Sequence, residues 1–270
     1  MSTQAETCEK FLALHHGDAP LLLPNAWDRG TAKLFAFLGF SAVATTSGGH
    51  AATLGRLDGR VTLDEILEHA TALAVATDVP INVDFENGFA DEPAGVAANV
   101  SRIRATGVAG CSVEDFTRRR DDPIYETAVA AARVEAAAEA AHGTGPRLVL
   151  TARAENYLHG RPDLGDTIAR LQAYQAAGAD VLYAPGLSSI DDIRSLVSSV
   201  DLPVNVLALP NVAPVAELAA AGVRRVSVGS AFNRVALGAV VDAARELLDR
   251  GTYGFWRVAA SAAPATNAFG

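Results

Sequence analysis

Lysine is almost missing from this chain. Of 270 residues only Lys10 and Lys33 are lysines; arginine supplies the rest of the permanent positive charge. A Schiff-base mechanism needs a desolvated lysine in its site. Lys10 falls in the N-terminal segment and Lys33 within the first helical pattern, so neither is placed for that role. Cysteine is as scarce: Cys8 and Cys111 stand far apart, with no CxxC and no disulfide framework. Cys111, at the start of a predicted strand, reads as core. The six histidines show no HxxxH or HExxH spacing, which argues against the usual zinc sites. No apolar run approaches the length of about 20 residues that spans a bilayer. The N-terminus "MSTQAETCEK" has no basic start leading into an apolar segment, so no secretory signal is expected. The expectation is a cytoplasmic protein with no membrane partner.

Positive charge is short overall as well. The formal net charge is -9, a surface that repels phosphate backbones and argues against nucleic acid as a partner. The one basic cluster, Arg118–Arg120, runs at once into Asp121 and Asp122 and reads as a solvated loop.

What is present is a regular alternation. β-Rich runs occur at 21–27, 41–46, 81–86, 110–115, 147–152, 181–186, 203–208 and 224–230, separated by alanine-rich amphipathic stretches. Several of these stretches close on glycine followed by an apolar residue, the usual helix exit. Eight strands alternating with helices predict an α/β fold of the (β/α)8 TIM type. A doubly wound sheet would want a glycine-rich phosphate turn after its first strand, and "PNAWDRG" is not one. "SVGSAF" after the eighth strand could bind phosphate at a helix N-terminus or simply pack the last strand on its helix. A single domain over 1–270 is expected, with a helical N-terminal segment at 1–19 and a low-complexity tail at 256–270, disordered or draped on a neighbour.

In such barrels the chemistry sits at the C-terminal ends of the strands, and there the polar residues collect: Asn25 and Trp27, then "TTSGGH", Asp84 and Glu86, Glu114 and Asp115, Arg153 and Glu155, and Asn205. Alternation along "INVDFE" puts Ile81, Val83 and Phe85 on one face and Asn82, Asp84 and Glu86 on the other. With Glu114, three carboxylates should converge near one point inside the barrel. Like charges so close need a cation: Arg153, or a divalent metal such as Mg2+, which accepts a few carboxylates and fills its shell with water and anionic substrate. The alternative is a salt-bridge network that only closes the barrel mouth. Ser47 with the amides of Gly48 and Gly49 could form an anion nest, Asp58 stands in the same loop region, and Trp27 could floor a small pocket or pack in the core. His50 is a candidate proton carrier or a turn residue.

In order along the chain, "LPNAWD", "TTSGG", "LDG", "VDFENGF", "VED", "TARAENYL", "YAPGL", "VNVLALP" and "RVSVGSAF" resemble the isocitrate lyase/phosphoenolpyruvate mutase superfamily. The resemblance covers about residues 20 to 250. It implies a barrel whose eighth helix is exchanged within a homodimer or homotetramer, with Mg2+ (or Mn2+) as cofactor and a small anionic substrate that passes through a pyruvate enolate. It implies Asp84 as the principal metal residue, with Asp58, Glu86 and Glu114 contributing through water. Ser47, Gly48 and Gly49 would hold the substrate carboxylate, Arg153 its anionic end, and Trp27 would pack beside the reacting carbons; Asn205 joins them as a substrate-binding candidate. The family's Asp-x-Asp is Asp84-x-Glu86 here. The Lys-Arg-Cys-Gly-His loop of the isocitrate and methylisocitrate lyases is replaced by "FTRRRDDPIYE", which also lacks the lysine and asparagine of the phosphonate mutases. The expected activity is cleavage of a C–C bond in a 2-oxo or 2-hydroxy dicarboxylate, oxaloacetate decarboxylase-like, with Arg153, Asp58 and Glu114 catalytic. Phosphonopyruvate P–C chemistry, or a catalytically weak barrel that binds a small oxo acid, are the alternatives.

Overall fold

The computed structural model describes residues 2–269, and each of the eight β-rich runs contains a strand. Helix α1 (Gln4–Leu14) opens with a capping box between Thr3 and Glu6. The first run is cut in two by Pro24, which lacks the N–H a ladder needs: β1 (Leu21–Leu23) pairs with the last strand, and β2 (Asn25–Ala26) with the next. There follow α2 (Arg29–Phe37), β3 (Val43–Thr45), α3 (Ser47–Thr53), α4 (Leu63–Ala74), β4 (Ile81–Asp84), α5 (Pro93–Arg104) and β5 (Gly110–Glu114). The second half holds α6 (Thr127–His142), β6 (Val149–Arg153), α7 (Leu164–Ala176), β7 (Val181–Tyr183), α8 (Ile190–Ser198), β8 (Val204–Leu207), α9 (Val215–Ala220) and β9 (Arg225–Ser227). All strand pairs are parallel, in the order β1-β9-β8-β7-β6-β5-β4-β3-β2. Because β1 and β2 are two halves of one strand, the sheet closes on itself as a (β/α)8 barrel. Strands β4 and β5 end earlier than their runs, at Asp84 and Glu114, so that Glu86 and Asp115 belong to the loops, whereas β6 runs on to Arg153.

The N-terminal end of the barrel is plugged by α1. Phe11, fully buried, lies against the start of β5, and a Cβ at Gly110 would stand 2.9 Å from its Cε1 and 2.7 Å from the Val149 carbonyl. That glycine is therefore dictated by packing. The opposite end stays open, and there the polar strand ends gather.

Two features lie beyond the last strand. Helix α10 (Ala231–Arg250) leaves the barrel surface: Val235, Val240 and Leu248 are 70%, 65% and 83% exposed. The tail is helical, with α11 (Trp256–Ala259) and α12 (Ala263–Phe269). Helix α12 packs on α2 of the same chain, with the Phe269 ring beside Gly30. The low-complexity composition therefore folds back as helix over its described residues, alanine being a strong helix former. No helix among the described residues is long and apolar enough to cross a membrane.

Candidate active site

Register fixes the layer of side chains at the open end. Glu114 is the ladder partner of Arg153, Arg153 of Tyr183, Tyr183 of Asn205, and Asn205 of Arg225. Paired residues point the same way in a sheet, so this ring faces the axis. Arg153 sits at its centre. Its guanidinium lies 2.6 Å from Asp84 Oδ1, 3.1 Å from Glu114 Oε2 and 2.8 Å from Glu155 Oε1, and stands over the Tyr183 ring at 5.4 Å. The three carboxylates the sequence brought together therefore do not meet at one point. Arg153 stands between Asp84 and Glu114, because like charges out of water need a cation between them. Glu86 lies apart and pairs with Arg118.

Four carboxylates, Asp84, Glu86, Glu114 and Glu155, are thus met by two guanidiniums. Burial pushes Glu114 well above the usual carboxylate range despite Arg153, and raises Glu86 to about 7 despite Arg118. Glu86 Oε1 is buried with no hydrogen-bond partner. An excess of carboxyl groups over guanidiniums, with one orphaned carboxyl oxygen, suits a hard divalent ion, and an all-oxygen donor set favours Mg2+ or Mn2+. Among the described residues no three such side chains converge to hold one ion directly. The fit is therefore that of an ion held largely through water.

Glu86 does not continue the alternation of β4. Its φ is +46°, and Phe89 follows at +55°, left-handed conformations that cost about 1–3 kcal/mol each and persist where neighbours impose them. The neighbour here is Arg133 of α6, fully buried, whose guanidinium donates to the carbonyls of Asn87, Ala90 and Asp91. Asp115 does similar work on the other side. It accepts from the Glu155 amide at 2.8 Å, Tyr174 Oη at 2.6 Å and Arg170 at 3.2 Å, and so fixes the chain that leaves β6.

In "TTSGGH" Thr45 ends β3, Thr46 caps α3 and Ser47 to His50 form its first turn, not an open glycine nest. The Ser47 amide donates to Asp84 Oδ2 at 3.0 Å. Gly48 packs between Asp58 and Ser230, where a Cβ would stand 3.1 Å from Asp58 Oδ2 and 2.9 Å from Ser230 Oγ. Gly49 faces inward, its absent Cβ 2.9 Å from that of Trp27. Gly48→Ala is expected to displace Asp58 and cost about 1–3 kcal/mol of stability by overpacking, read as a lower urea midpoint.

Asn205 holds Ser227 Oγ at 3.0 Å and accepts from Arg225 Nε at 3.0 Å. Arg225, buried on the barrel axis, has no carboxylate partner among the described residues. It bonds Thr151 and His15, and burial lowers it to about 9. Two cavities meet at this layer. A deep one of about 150 Å3 is lined by Ser47, Asp58, Asp84, Arg153, Asn205 and Arg225, and an outer one of about 610 Å3 by Asp58, Glu86, Glu114, Arg118, Arg153 and His159, among others. Trp27 lines neither. Its ring packs on Phe35 and borders a separate cleft with His50 and His69, whose rings stack at 3.8 Å. His50 is thus turned away from the mouth. Arg225 and His159 enter the site unannounced by the sequence; Glu155, expected at the mouth without a role, binds Arg153, and Arg118, expected as a solvated loop residue, pairs with Glu86. His159 stands on the loop after β6, whereas the acid that the resemblance implies belongs to the loop after β5.

A parallel barrel with an acidic, arginine-bridged mouth defines an enzyme class that handles small anions at its strand ends. The sequence profile described as phosphoenolpyruvate phosphomutase matches residues 11–248, and the chain belongs to that family, within the isocitrate lyase/phosphoenolpyruvate mutase superfamily. Among curated relatives, an oxaloacetate decarboxylase of Chromohalobacter salexigens is 28% identical over 92% of this chain and 87% of its own. A 2-methylisocitrate lyase of Halalkalibacterium halodurans is 28% identical over 75% and 67%. A crystal structure from Burkholderia cenocepacia J2315, provisionally described as a lyase/mutase, superposes with a TM-score of 0.92 at 46% identity, covering 94% of this chain and 92% of that one.

Proposed function

We propose that this protein is a divalent-metal-dependent lyase. It breaks a C–C bond of a small 2-oxo or 2-hydroxy dicarboxylate by way of a pyruvate enolate, with decarboxylation of oxaloacetate or a near analogue as its reaction. The observation that carries this reading is the Asp84–Arg153–Glu114 bridge beside the unpartnered Glu86 oxygen. Asp84, Glu86 and Glu114 would hold Mg2+, with Asp58 at the rim. Bound there, the ion would supply positive charge for the anionic oxygens of the substrate. Ser47 and Gly48, at the N-terminus of α3, receive the substrate carboxylate. Arg153 binds its anionic end and steadies charge as the bond breaks. Arg225 and Asn205 floor the deep cavity, and the positive field of Arg225 favours an anion above it. Gly49 and Trp27 support α3 from behind. Both lysines are exposed, Lys10 on the plug helix at the far end of the barrel and Lys33 on α2, which supports the enolate route over an imine.

Arg118 at the outer cavity supports a second reading, P–C chemistry on phosphonopyruvate with a loop arginine in place of the mutase lysine. The uncovered apolar residues of α10 support exchange of this helix in a homodimer or homotetramer, which light scattering would read. The direct test is calorimetric binding of oxalate, a planar enolate mimic, with and without Mg2+. Binding that requires Mg2+, followed by CO2 release from oxaloacetate, is expected. Phosphate release from phosphonopyruvate would favour the second reading. Mg2+-dependent binding without turnover on a panel of oxo acids would favour a sensor, and no binding in either condition would leave the cluster a structural network.

A further inference from the structure

Decarboxylation leaves an enolate that must take up a proton at carbon, and the loop that carries the family's acid has neither cysteine nor histidine here. Building on the reaction proposed above, we infer that His159 delivers this proton. It stands on the loop after β6 and lines the outer cavity together with Glu114, Arg118 and Arg153. Among the described residues it is the one histidine that lines either cavity of the mouth. Its side chain is 27% exposed, so one edge reaches the cavity and the other stays in touch with solvent.

The ring is held in place. It lies flat on Phe116, centroid to centroid 3.9 Å and 6° from parallel, so the loop after β5 positions it. Phe116 is itself fixed by an antiparallel bridge to Ile124. Nε2 lies 3.8 Å from Glu155 Oε2, and the His159 amide donates to the Glu155 carbonyl at 3.2 Å. Glu155 binds Arg153, so imidazole and substrate-binding guanidinium share one carboxylate. The thiols and the nearest phenol are committed or remote. Burial pushes the Cys8 and Cys111 thiols up to about 11 and about 12 in the core, and Tyr183 to about 12 beneath Arg153.

The step balances. The C3–C4 bond of the oxo acid breaks, C4 leaves as CO2, and the electron pair passes into the C2 carbonyl to give the enolate. Carbon C3 then takes a proton from the His159 imidazolium, forming a C–H bond and neutral imidazole, which regains a proton from water at the mouth. Burial first, then Arg153, hold the imidazole below its ordinary value in the free protein. The charged groups that share the cavity with it are Glu155, Glu114, Glu86, Asp58, Arg153, Arg118 and Arg60. A bound dianion offsets the guanidiniums and favours the imidazolium. The alkaline limb of kcat should therefore lie at higher pH than that of kcat/KM, and should vanish without His159.

The reverse of the proton step can be read without any C–C cleavage. Pyruvate in D2O with Mg2+ should exchange its methyl hydrogens on the wild-type protein, followed by NMR. His159→Gln should lower that exchange by about 100-fold or more, within the range for general acid–base groups, while Mg2+-dependent oxalate binding stays within about threefold. Added imidazole should partly restore exchange in His159→Ala. Wild-type exchange in His159→Gln with oxalate binding intact overturns the assignment, as does oxalate binding with no exchange in the wild type. Absence of Mg2+-dependent oxalate binding in the wild type instead refutes the proposed function, and this inference falls with it.

Discussion

Asp84→Ala is expected to lower Mg2+-dependent turnover by about 10^2- to 10^3-fold or more, the scale of losing a principal charge-stabilising group, and to leave the barrel folded. The side chain has two partners, the Ser47 amide and Arg153. Without it Arg153 keeps Glu114 and Glu155, so no buried guanidinium is orphaned, and the Ser47 amide turns to water in the cavity. Unfolding in urea should therefore change by no more than about 1.5–3 kcal/mol, the scale of one lost hydrogen bond to a charged group. Asp84→Asn separates shape from charge, because it keeps an acceptor for Ser47 but removes the negative charge. It should fold like the wild type and still bind oxalate poorly in the presence of Mg2+. Mg2+-dependent activity retained in the alanine variant would remove the metal mechanism. Activity lost with Mg2+-dependent oxalate binding unchanged would move Asp84 from the metal to another step.

That prediction was legible in the sequence because its cause is local. A run of "INVD" buried on both sides can end in a carboxylate only where a strand opens onto a polar mouth, and parity gives its direction. The eight-beat alternation was legible for the same reason. Glu86 was not, since the parity argument assumes a strand and the strand stops at Asp84. The turn that follows Glu86 is held by Arg133 of α6, 47 residues on, which grips the carbonyls of Asn87 and Ala90. No short-range pattern announces such a clamp. The glycines of "TTSGG" have a packing reason that the sequence does not show. Two adjacent glycines suit an anion nest, but here each is small because a neighbour needs the space, Asp58 with Ser230 in one case and Trp27 in the other. Trp27 follows from Gly49: with its Cβ against α3, the ring goes to Phe35 instead of the cavity.

Arg153→Met tests the other half of the site, and its expected effect is largest on stability. The guanidinium is the cation for Asp84, Glu114 and Glu155, which are 18%, 11% and 3% exposed. Removing one partner of a buried ionic set costs about 3–5 kcal/mol, because the charges left behind have neither water nor a partner. The loss must depend on pH. Burial already raises Glu114 and Glu155 above their ordinary values in the folded protein, and losing Arg153 raises them further. A group whose folded pKa is raised costs nothing below its unfolded value of about 4.5 and progressively destabilises the fold as pH climbs through the folded value. The variant should thus approach wild-type stability near about pH 4.5 and fall furthest below it near about pH 8, by urea unfolding at both. Mg2+ offers a second check. If a divalent ion answers to the same carboxylates, adding it near about pH 8 should raise the variant's midpoint more than that of the wild type, since binding to the folded state alone stabilises it. A variant as stable as the wild type at every pH would mean that Arg153 serves substrate only and that the carboxylates carry their burial unaided.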